Sequence, residues 1–274
     1  MPPSLITAHN GADGTPENSM EFVRHALASD ADALEIDIRR LPDGTLVFTH
    51  DLPELSAGTF PGPASDPASD PVSGQASGSA SGPASDPVSG QASGQGSGSA
   101  SLVRIKTVFD ALRESRTGKW INCDLKEAGL ESAVADLAAR CGIGDRIQFS
   151  GTVSAQYCRR SGLNRQAEIL LNIEEYVPRI YERCLQHPDQ AAGAARQAAL
   201  EISAVCHRYG IRCVNAHYRL ATDEFMDILD REGLGLSVWT VNDPAEAARF
   251  LQRGIFNVTT RNMRDILPLG RACR

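Results

Sequence analysis

The chain lacks several features that would mark a nucleic-acid-binding or membrane protein. Its 274 residues contain no long run of Lys or Arg, and the net charge of -7 gives a pI near 5.4. This argues against nucleic-acid binding and against a polybasic membrane patch. No apolar run is long enough to span a bilayer, and no basic start followed by an apolar segment is present. A small anionic substrate is still compatible, because one metal ion can reverse the local charge.

Paired cysteines are also missing. The seven cysteines are odd in number and scattered, and no CxxC pair occurs. Zinc and redox motifs of that kind are therefore excluded, and a reduced, cytoplasmic protein is expected. No feature of the sequence indicates an oligomeric state.

Apolar and basic residues nearly vanish between residues 56 and 101. This segment consists almost entirely of Gly, Ala, Ser, Pro, Asp and Gln, has Phe60 as its one aromatic residue, and repeats "ASDPVSGQASG" at 68–78 and 84–94. It lacks the side chains needed to offset the entropy of ordering, and two copies without core residues cannot stack into a solenoid. We predict a disordered insertion, 56–101, in a single domain formed by 1–55 and 102–274. Its deletion should leave fold and chemistry intact.

What remains has the length and pattern of a (β/α)₈ TIM barrel, an α/β fold of roughly 250 residues. Nine strand-like runs begin with "SLITAH" and end with "IFNVTT", and helical patterns lie between most of them. Alternating strands and helices predict a parallel sheet. The ninth strand is explained by Asp43-Gly44, a hairpin signal that folds "TLVFTH" back beside "ALEIDIRRL".

The strand "LEIDIRR" carries charge where a buried strand should be apolar. Glu35, Asp37 and Arg39 share one face because side chains alternate along a strand. An edge strand with one solvent-exposed face is the simplest explanation. The alternative is a face that looks into a site holding a cation, because unpaired charges are costly to bury.

The carboxyl ends of the predicted strands favour the second explanation, since catalytic groups of TIM barrels gather there. Glu35, Asp37 and Asp124 would be oxygen ligands for a hard divalent cation, Mg²⁺ or Ca²⁺. His9 and His50 would be a general acid and base. Further polar or aromatic residues at strand ends are Arg39, Lys126, Asn172, His217 and Trp239.

At this point the chain resembles a known family. "AHNG", "PENS", "LEIDIRRLPDGTLVFTHD", "NCDLK", "VWTVND" and "GIFNVTTRNM" follow the order and spacing of motifs in the glycerophosphodiester phosphodiesterases, members of the phosphatidylinositol-phospholipase-C-like phosphodiesterase barrels. The resemblance covers nearly everything outside the insertion. It implies a barrel enzyme of lipid metabolism that cleaves a small-molecule glycerophosphodiester to glycerol phosphate and an alcohol, using one divalent cation.

Carried over by position, the resemblance makes His9 and His50 the acid/base pair and Glu35, Asp37 and Asp124 the metal ligands. It also places five residues at the substrate, namely Asn10, Glu17, Arg39, Lys126 and Trp239. In the family mechanism a substrate hydroxyl attacks phosphorus while the histidines exchange protons.

Three departures from the family pattern concern the substrate. Asn10 stands where an arginine normally follows the first histidine, and Asn cannot supply a positive, bidentate fork. Arg39 is one candidate replacement. Asp124 is shorter by one methylene than the usual Glu, and the segment after His50-Asp51 leads into the insertion.

Two other interpretations remain open. One is a related phosphodiesterase that acts on a lysolipid or another headgroup, and the other is a degenerate barrel that binds a phosphorylated ligand without turnover. The insertion also permits a docking tether, although it offers no aromatic anchor beyond Phe60.

Overall fold

The computed structural model describes residues 3–52, 102–186 and 191–273. Ten strands lie in these ranges: β1 Leu5–Ala8, β2 Ala33–Arg40, β3 Leu46–Phe48, β4 Val103–Arg104, β5 Trp120–Leu125, β6 Ile147–Gly151, β7 Glu168–Asn172, β8 Cys213–His217, β9 Gly235–Trp239 and β10 Asn257–Thr260. Eight α-helices accompany them: α1 Met20–Ala28, α2 Ile105–Glu114, α3 Glu131–Arg140, α4 Ala155–Ser161, α5 Ala191–Tyr209, α6 Asp223–Arg231, α7 Pro244–Arg253 and α8 Met263–Ala272.

Eight of the strands close into a parallel ring. Hydrogen bonding runs in the order β1, β10, β9, β8, β7, β6, β5, β2, and β2 pairs again with β1. Every pairing in this ring is parallel. The predicted TIM barrel is therefore confirmed, with helices following the strands as the (β/α)₈ pattern requires.

The predicted extra strand lies outside the ring. β3 pairs antiparallel with β2, with Ile38 opposite Phe48, and the turn between them contains Gly44 at φ 87°. The Asp43 side chain accepts a hydrogen bond of 2.9 Å from the backbone N–H of Thr45, which fixes this turn. The two-residue strand β4 extends the hairpin beyond β3.

Strand β2 shows the alternation that its sequence predicted. Leu34, Ile36 and Ile38 are fully buried in the apolar core, while Glu35 and Asp37 are buried among polar groups on the other face. The interior of the barrel below the site is polar as well. Asn257, for example, accepts a hydrogen bond of 2.7 Å from Thr7 Oγ1 and donates one of 3.0 Å to Ser237 Oγ. These bonds satisfy groups that would otherwise be costly to bury.

All nine predicted strands are present, but strand β4 and helices α2 and α8 were not among the predicted elements. The predicted insertion, 56–101, lies outside the described residues.

Among the described helices, none combines the length and the hydropathy that a membrane span requires.

Candidate active site

A cavity of about 400 Å³ opens where the barrel strands end. The carboxyl ends of the strands form the catalytic face in enzymes of this fold. Nine of the ten predicted site residues line this cavity: His9, Asn10, Glu17, Glu35, Asp37, His50, Asp124, Lys126 and Trp239. Arg39 is not among the residues that line it.

Three carboxylates from two strands meet in the cavity. Glu35 and Asp37 lie two residues apart on β2, and Asp124 of β5 is opposite Asp37 in the strand register. One oxygen from each residue lies within 4.8 Å of the other two, and all three residues are buried. The parallel register of β2 and β5 is therefore what brings the three acids together.

This donor set fits a hard divalent cation. Mg²⁺ and Ca²⁺ take oxygen ligands, and carboxylates are the strongest of these in proteins. Burial, and then the charges of Asp124 and Asp37, raise the pKa of Glu35 well above its ordinary value. A cation held between the acids would remove this repulsion and favour the ionised form of Glu35.

Lys126 neutralises part of the cluster. Its Nζ lies 2.9 Å from Asp37 Oδ1 and also contacts Asp124 Oδ2. Burial by itself would lower the pKa of Lys126, but the two carboxylates outweigh burial and raise it. The ammonium group therefore stays charged and occupies the side of the cluster formed by Asp37 and Asp124.

Asp124 is supported from the neighbouring strand. Ser150 Oγ donates a hydrogen bond of 2.9 Å to Asp124 Oδ1, and Asn122 Nδ2 donates one of 3.0 Å to Ser150 Oγ. The next residue, Gly151, has φ 78°, and a Cβ atom there would lie 2.5 Å from Asp124 Oδ1 and 2.3 Å from the carbonyl oxygen of Leu125. Only glycine lets β6 approach the acid this closely.

His9 faces the cluster from the end of β1. Its Nε2 lies 3.9 Å from Glu35 Oε1, and its Nδ1 lies 2.9 Å from the carbonyl oxygen of Asn10 and 3.0 Å from Arg261 Nε. The two Nδ1 contacts are alternatives, because Nδ1 carries a proton in the first and accepts one in the second. Burial is the main cause that lowers the pKa of His9, and Arg261 lowers it further. The ring is therefore neutral at physiological pH.

His50 lies on the more open side of the cavity, with 59% of its side chain exposed against 18% for His9. Its Nδ1 is 2.9 Å from Asp51 Oδ2, so the carboxylate orients the ring and can stabilise positive charge on it.

Arg39, the predicted replacement for the missing arginine, supports the His50 segment instead of lining the cavity. Its Nε donates a hydrogen bond of 2.6 Å to the carbonyl oxygen of His50, and its NH2 group lies 3.7 Å from Asp51 Oδ1. The long side chain follows the hairpin toward β3, because the antiparallel pairing places the end of β3 beside it.

Asn10 lines the cavity, and both hydrogens of its side-chain amide are already donated to other residues. Its Nδ2 donates hydrogen bonds of 2.8 Å to Asn18 Oδ1 and 2.9 Å to Asp37 Oδ2, and its Oδ1 accepts one of 2.8 Å from the N–H of Asn18. Asn10 therefore ties the "PENS" turn to a candidate metal ligand.

Trp239 and Glu17 lie at the rim. The indole of Trp239 makes edge-on contacts with the rings of Tyr181 and His217, with centroids 6.1 and 5.4 Å apart. Glu17 Oε1 lies 2.8 Å from the NH2 group of Arg261. The rim thus combines an aromatic wall with an ion pair.

Comparison with known proteins shows which enzymes the residues around this site resemble. The model of the glycerophosphoryl diester phosphodiesterase family matches residues 9–63, which include both histidines and two of the three clustered acids. Over these residues the chain is similar to the glycerophosphoryl diester phosphodiesterases, which are phosphoric diester hydrolases. No curated protein matches the sequence at a significant level.

Solved structures show the same fold at low sequence identity. A glycerophosphodiester phosphodiesterase from Parabacteroides distasonis is 13% identical, with 98% of this chain and 97% of that chain covered and a TM-score of 0.61. One from Agrobacterium tumefaciens is 14% identical, with 97% and 99% covered and a TM-score of 0.59. A phosphodiesterase from Oleispira antarctica, solved in complex with the product sn-glycerol-3-phosphate, is 14% identical, with 97% and 96% covered and a TM-score of 0.59.

Several residues that line the cavity were not predicted from the sequence. Arg261 directly follows β10, and Glu174 and Glu175 follow β7 in a short 3₁₀ turn, Ile173–Glu175. All three satisfy the rule that site residues lie just after barrel strands. Applying that rule one or two residues beyond each strand would have found them.

Proposed function

We propose that the enzyme hydrolyses glycerophosphodiester-like small molecules to glycerol phosphate and an alcohol, with one divalent cation and with His9 and His50 as base and acid. The observation that supports this proposal is the shared cavity of three buried carboxylates and two imidazoles. Glu35, Asp37 and Asp124 would hold the ion, Mg²⁺ or Ca²⁺. When bound, such an ion polarises phosphoryl oxygens and offsets negative charge.

The two histidines differ in a way that suits opposite proton transfers. His9 is neutral because burial lowers its pKa, and with its Nδ1 proton donated to the carbonyl of Asn10 it presents an unprotonated Nε2 to the cavity. His9 therefore accepts the proton of the substrate hydroxyl that attacks phosphorus. His50, oriented by its contact with Asp51, donates a proton to the leaving alcohol oxygen. Water then opens the resulting cyclic phosphate with the roles reversed, so that His50 accepts a proton of the water and His9 returns its proton to the departing hydroxyl.

Neighbouring side chains orient the reacting groups. Arg39 fixes the His50 segment through the His50 carbonyl, and Asn10 connects Asp37 to the turn that carries Glu17. Trp239 supplies the apolar wall against which the glycerol or alcohol portion packs.

Release of glycerol phosphate from sn-glycero-3-phosphocholine, followed by phosphorus NMR before and after chelation, tests this proposal. Chelation should abolish turnover, and Mg²⁺ or Ca²⁺ should restore it. His9→Ala and His50→Ala should each lower kcat by about 10²- to 10⁴-fold. His207→Ala is the matched control, because that ring lies on the surface and pairs with Glu232 at 3.0 Å.

Turnover that survives chelation, or full activity in His9→Ala, would contradict the proposal. A wild-type protein that binds phosphorylated ligands but does not turn them over would indicate the degenerate barrel. Phosphorus NMR with a panel of glycerophosphodiesters and lysolipids would then identify the headgroup.

The proposed location is the cytoplasm. All seven cysteines are unbridged, and six of them are buried. Unbridged cysteines support a reducing compartment.

A further inference from the structure

The cavity is acidic, although the proposed substrate carries a phosphate. Six carboxylate residues line it: Glu17, Glu35, Asp37, Asp124, Glu174 and Glu175. Apart from the two histidines, Lys126 and Arg261 are the cationic residues among the described residues that line it. Besides the proposed cation, an anion in such a cavity needs positive charge from the protein's own side chains.

Lys126 is poorly placed to meet the phosphate alone. Its ammonium group contacts both Asp37 and Asp124, and only 20% of its side chain is exposed. Asn10 has both amide hydrogens in use, and Arg39 does not line the cavity.

Arg261 has a fixed backbone and an accessible guanidinium group. Its N–H donates a hydrogen bond of 2.9 Å to Asn242 Oδ1, and its carbonyl oxygen accepts one of 2.7 Å from the N–H of Asp13. The register of β1 with β10 sets Ala8 opposite Thr260, so Arg261 lies beside His9 at the mouth of the barrel. Its side chain is 45% exposed.

The present partners of Arg261 can be exchanged easily. Glu17 is 51% exposed, and exposed ion pairs of this kind contribute little to stability. A phosphate offers two oxygens to the planar fork of an arginine, which is a stronger arrangement than one carboxylate contact at a wet surface. Removal of Arg261 Nε from His9 Nδ1 also leaves Nδ1 free to donate to the carbonyl of Asn10.

We propose that Arg261 is the phosphate-binding arginine of this chain, which exchanges Glu17 for two phosphate oxygens of the substrate. Arg261 thereby supplies the positive, bidentate phosphate contact that Asn10 cannot supply, although it lies near the opposite end of the sequence. The inference rests on the proposed function, because it names the residue that recognises the phosphate of that substrate.

Binding of sn-glycerol 3-phosphate, measured by titration calorimetry in wild type and variants, tests this inference without requiring turnover. Arg261→Ala should raise Kd by about 10- to 100-fold, as expected for losing charged hydrogen bonds. Arg261→Lys should recover part of the loss, because lysine keeps the charge but not the fork. Added guanidinium ion should improve binding to Arg261→Ala and leave wild type unchanged.

Arg264→Ala is the matched control. Arg264 is exposed, lies three residues away and does not line the cavity, so its removal changes net charge equally and should leave Kd unchanged. If Arg261→Ala does not fold, as judged by circular dichroism, Arg261→Gln takes its place.

The outcomes separate this inference from the proposed function. Affinity that depends on Arg261 in a protein without turnover would support the inference and overturn the function. Normal chelator-sensitive turnover with Kd and KM within about twofold of wild type in Arg261→Ala would overturn the inference alone. Equal losses in Arg261→Ala and Arg264→Ala, or no binding to wild type, would also overturn the inference.

Discussion

Replacing Glu35 with glutamine should stabilise the metal-free protein and, at the same time, greatly reduce its stabilisation by divalent ions. Glu35 is buried beside Asp37 and Asp124, and these causes raise its pKa well above the ordinary value. The folded state therefore binds the Glu35 proton more tightly than the unfolded state does. Stability is then lost as pH rises from the unfolded pKa through the folded pKa, at about 1.4 kcal/mol for each unit between them.

Near neutral pH this penalty is present in wild type and absent in Glu35→Gln. The variant should gain about 1–3 kcal/mol in chelator, the usual cost of a buried group with poor partners. For a domain of this size each kcal/mol raises Tm by about 2–4 °C. A divalent ion at 100 times its Kd should stabilise wild type by about 2.7 kcal/mol, and the variant, with one ligand fewer, by much less.

The assay is thermal unfolding of both proteins in chelator and in Mg²⁺ or Ca²⁺. Glu168→Gln is the control, because burial also raises the pKa of Glu168, yet this residue begins β7 at the amino end of the barrel. It should show the wild-type response to metal. A Glu35→Gln protein that is no more stable than wild type in chelator, or that responds fully to metal, would refute the reasoning.

Three further variants test the support around the site. Gly151→Ala should destabilise the protein by about 1–2 kcal/mol because of its positive φ, and by about 1–3 kcal/mol more because its Cβ would lie 2.3 Å from a carbonyl oxygen of β5. Gly142→Ala, at φ 73° in open space, should cost only the first amount. Equal losses of stability in urea unfolding would contradict this. Lys126→Met should destabilise the metal-free protein by about 3–5 kcal/mol, because Asp37 and Asp124 lose their partner. Saturating Mg²⁺ should reduce that loss. A loss that is the same with and without metal would show that the ion and Lys126 do not bind the same carboxylates. Arg39→Ala should lower kcat by about 10- to 100-fold, because His50 is displaced, while Kd for sn-glycerol 3-phosphate stays constant. A raised Kd with an unchanged kcat would instead place Arg39 at the phosphate.

The fold was readable from sequence wherever one physical signal dominated. Alternation along "LEIDIRR" identified both faces of β2, and Asp43-Gly44 identified the hairpin that explains the ninth strand. Helix α2 was missed because its N-cap residue, Arg104, makes no side-chain capping hydrogen bond, and its C-cap residue, Ser115, is not a glycine.

Helix α8 was missed for a different reason. It contains Pro268 and Gly270, which are helix-breaking signals in sequence. In the structure a Cβ on Gly270 would lie 2.4 Å from Ile6 Cδ1, so this glycine serves close packing of α8 against β1.

The site was predictable to the extent that strand ends determine it. Period-two spacing gave Glu35 and Asp37, and the strand "NCDLK" gave Asp124 as their partner. The contacts of Arg39 and Arg261 were not predictable, because a long side chain can reach several neighbours and only tertiary packing selects among them. Arg39 turned to the His50 segment, and Arg261 reached the cavity from the last strand.

The central claim is that Glu35, Asp37 and Asp124 hold one divalent ion. Anomalous diffraction from a crystal soaked in Mn²⁺ tests it most directly, because the ion is located independently of any assumption about activity. We expect a single strong peak in contact with oxygens of all three residues, with Lys126 Nζ displaced from at least one of them. A peak elsewhere, or no peak with Lys126 still bridging Asp37 and Asp124, would contradict it.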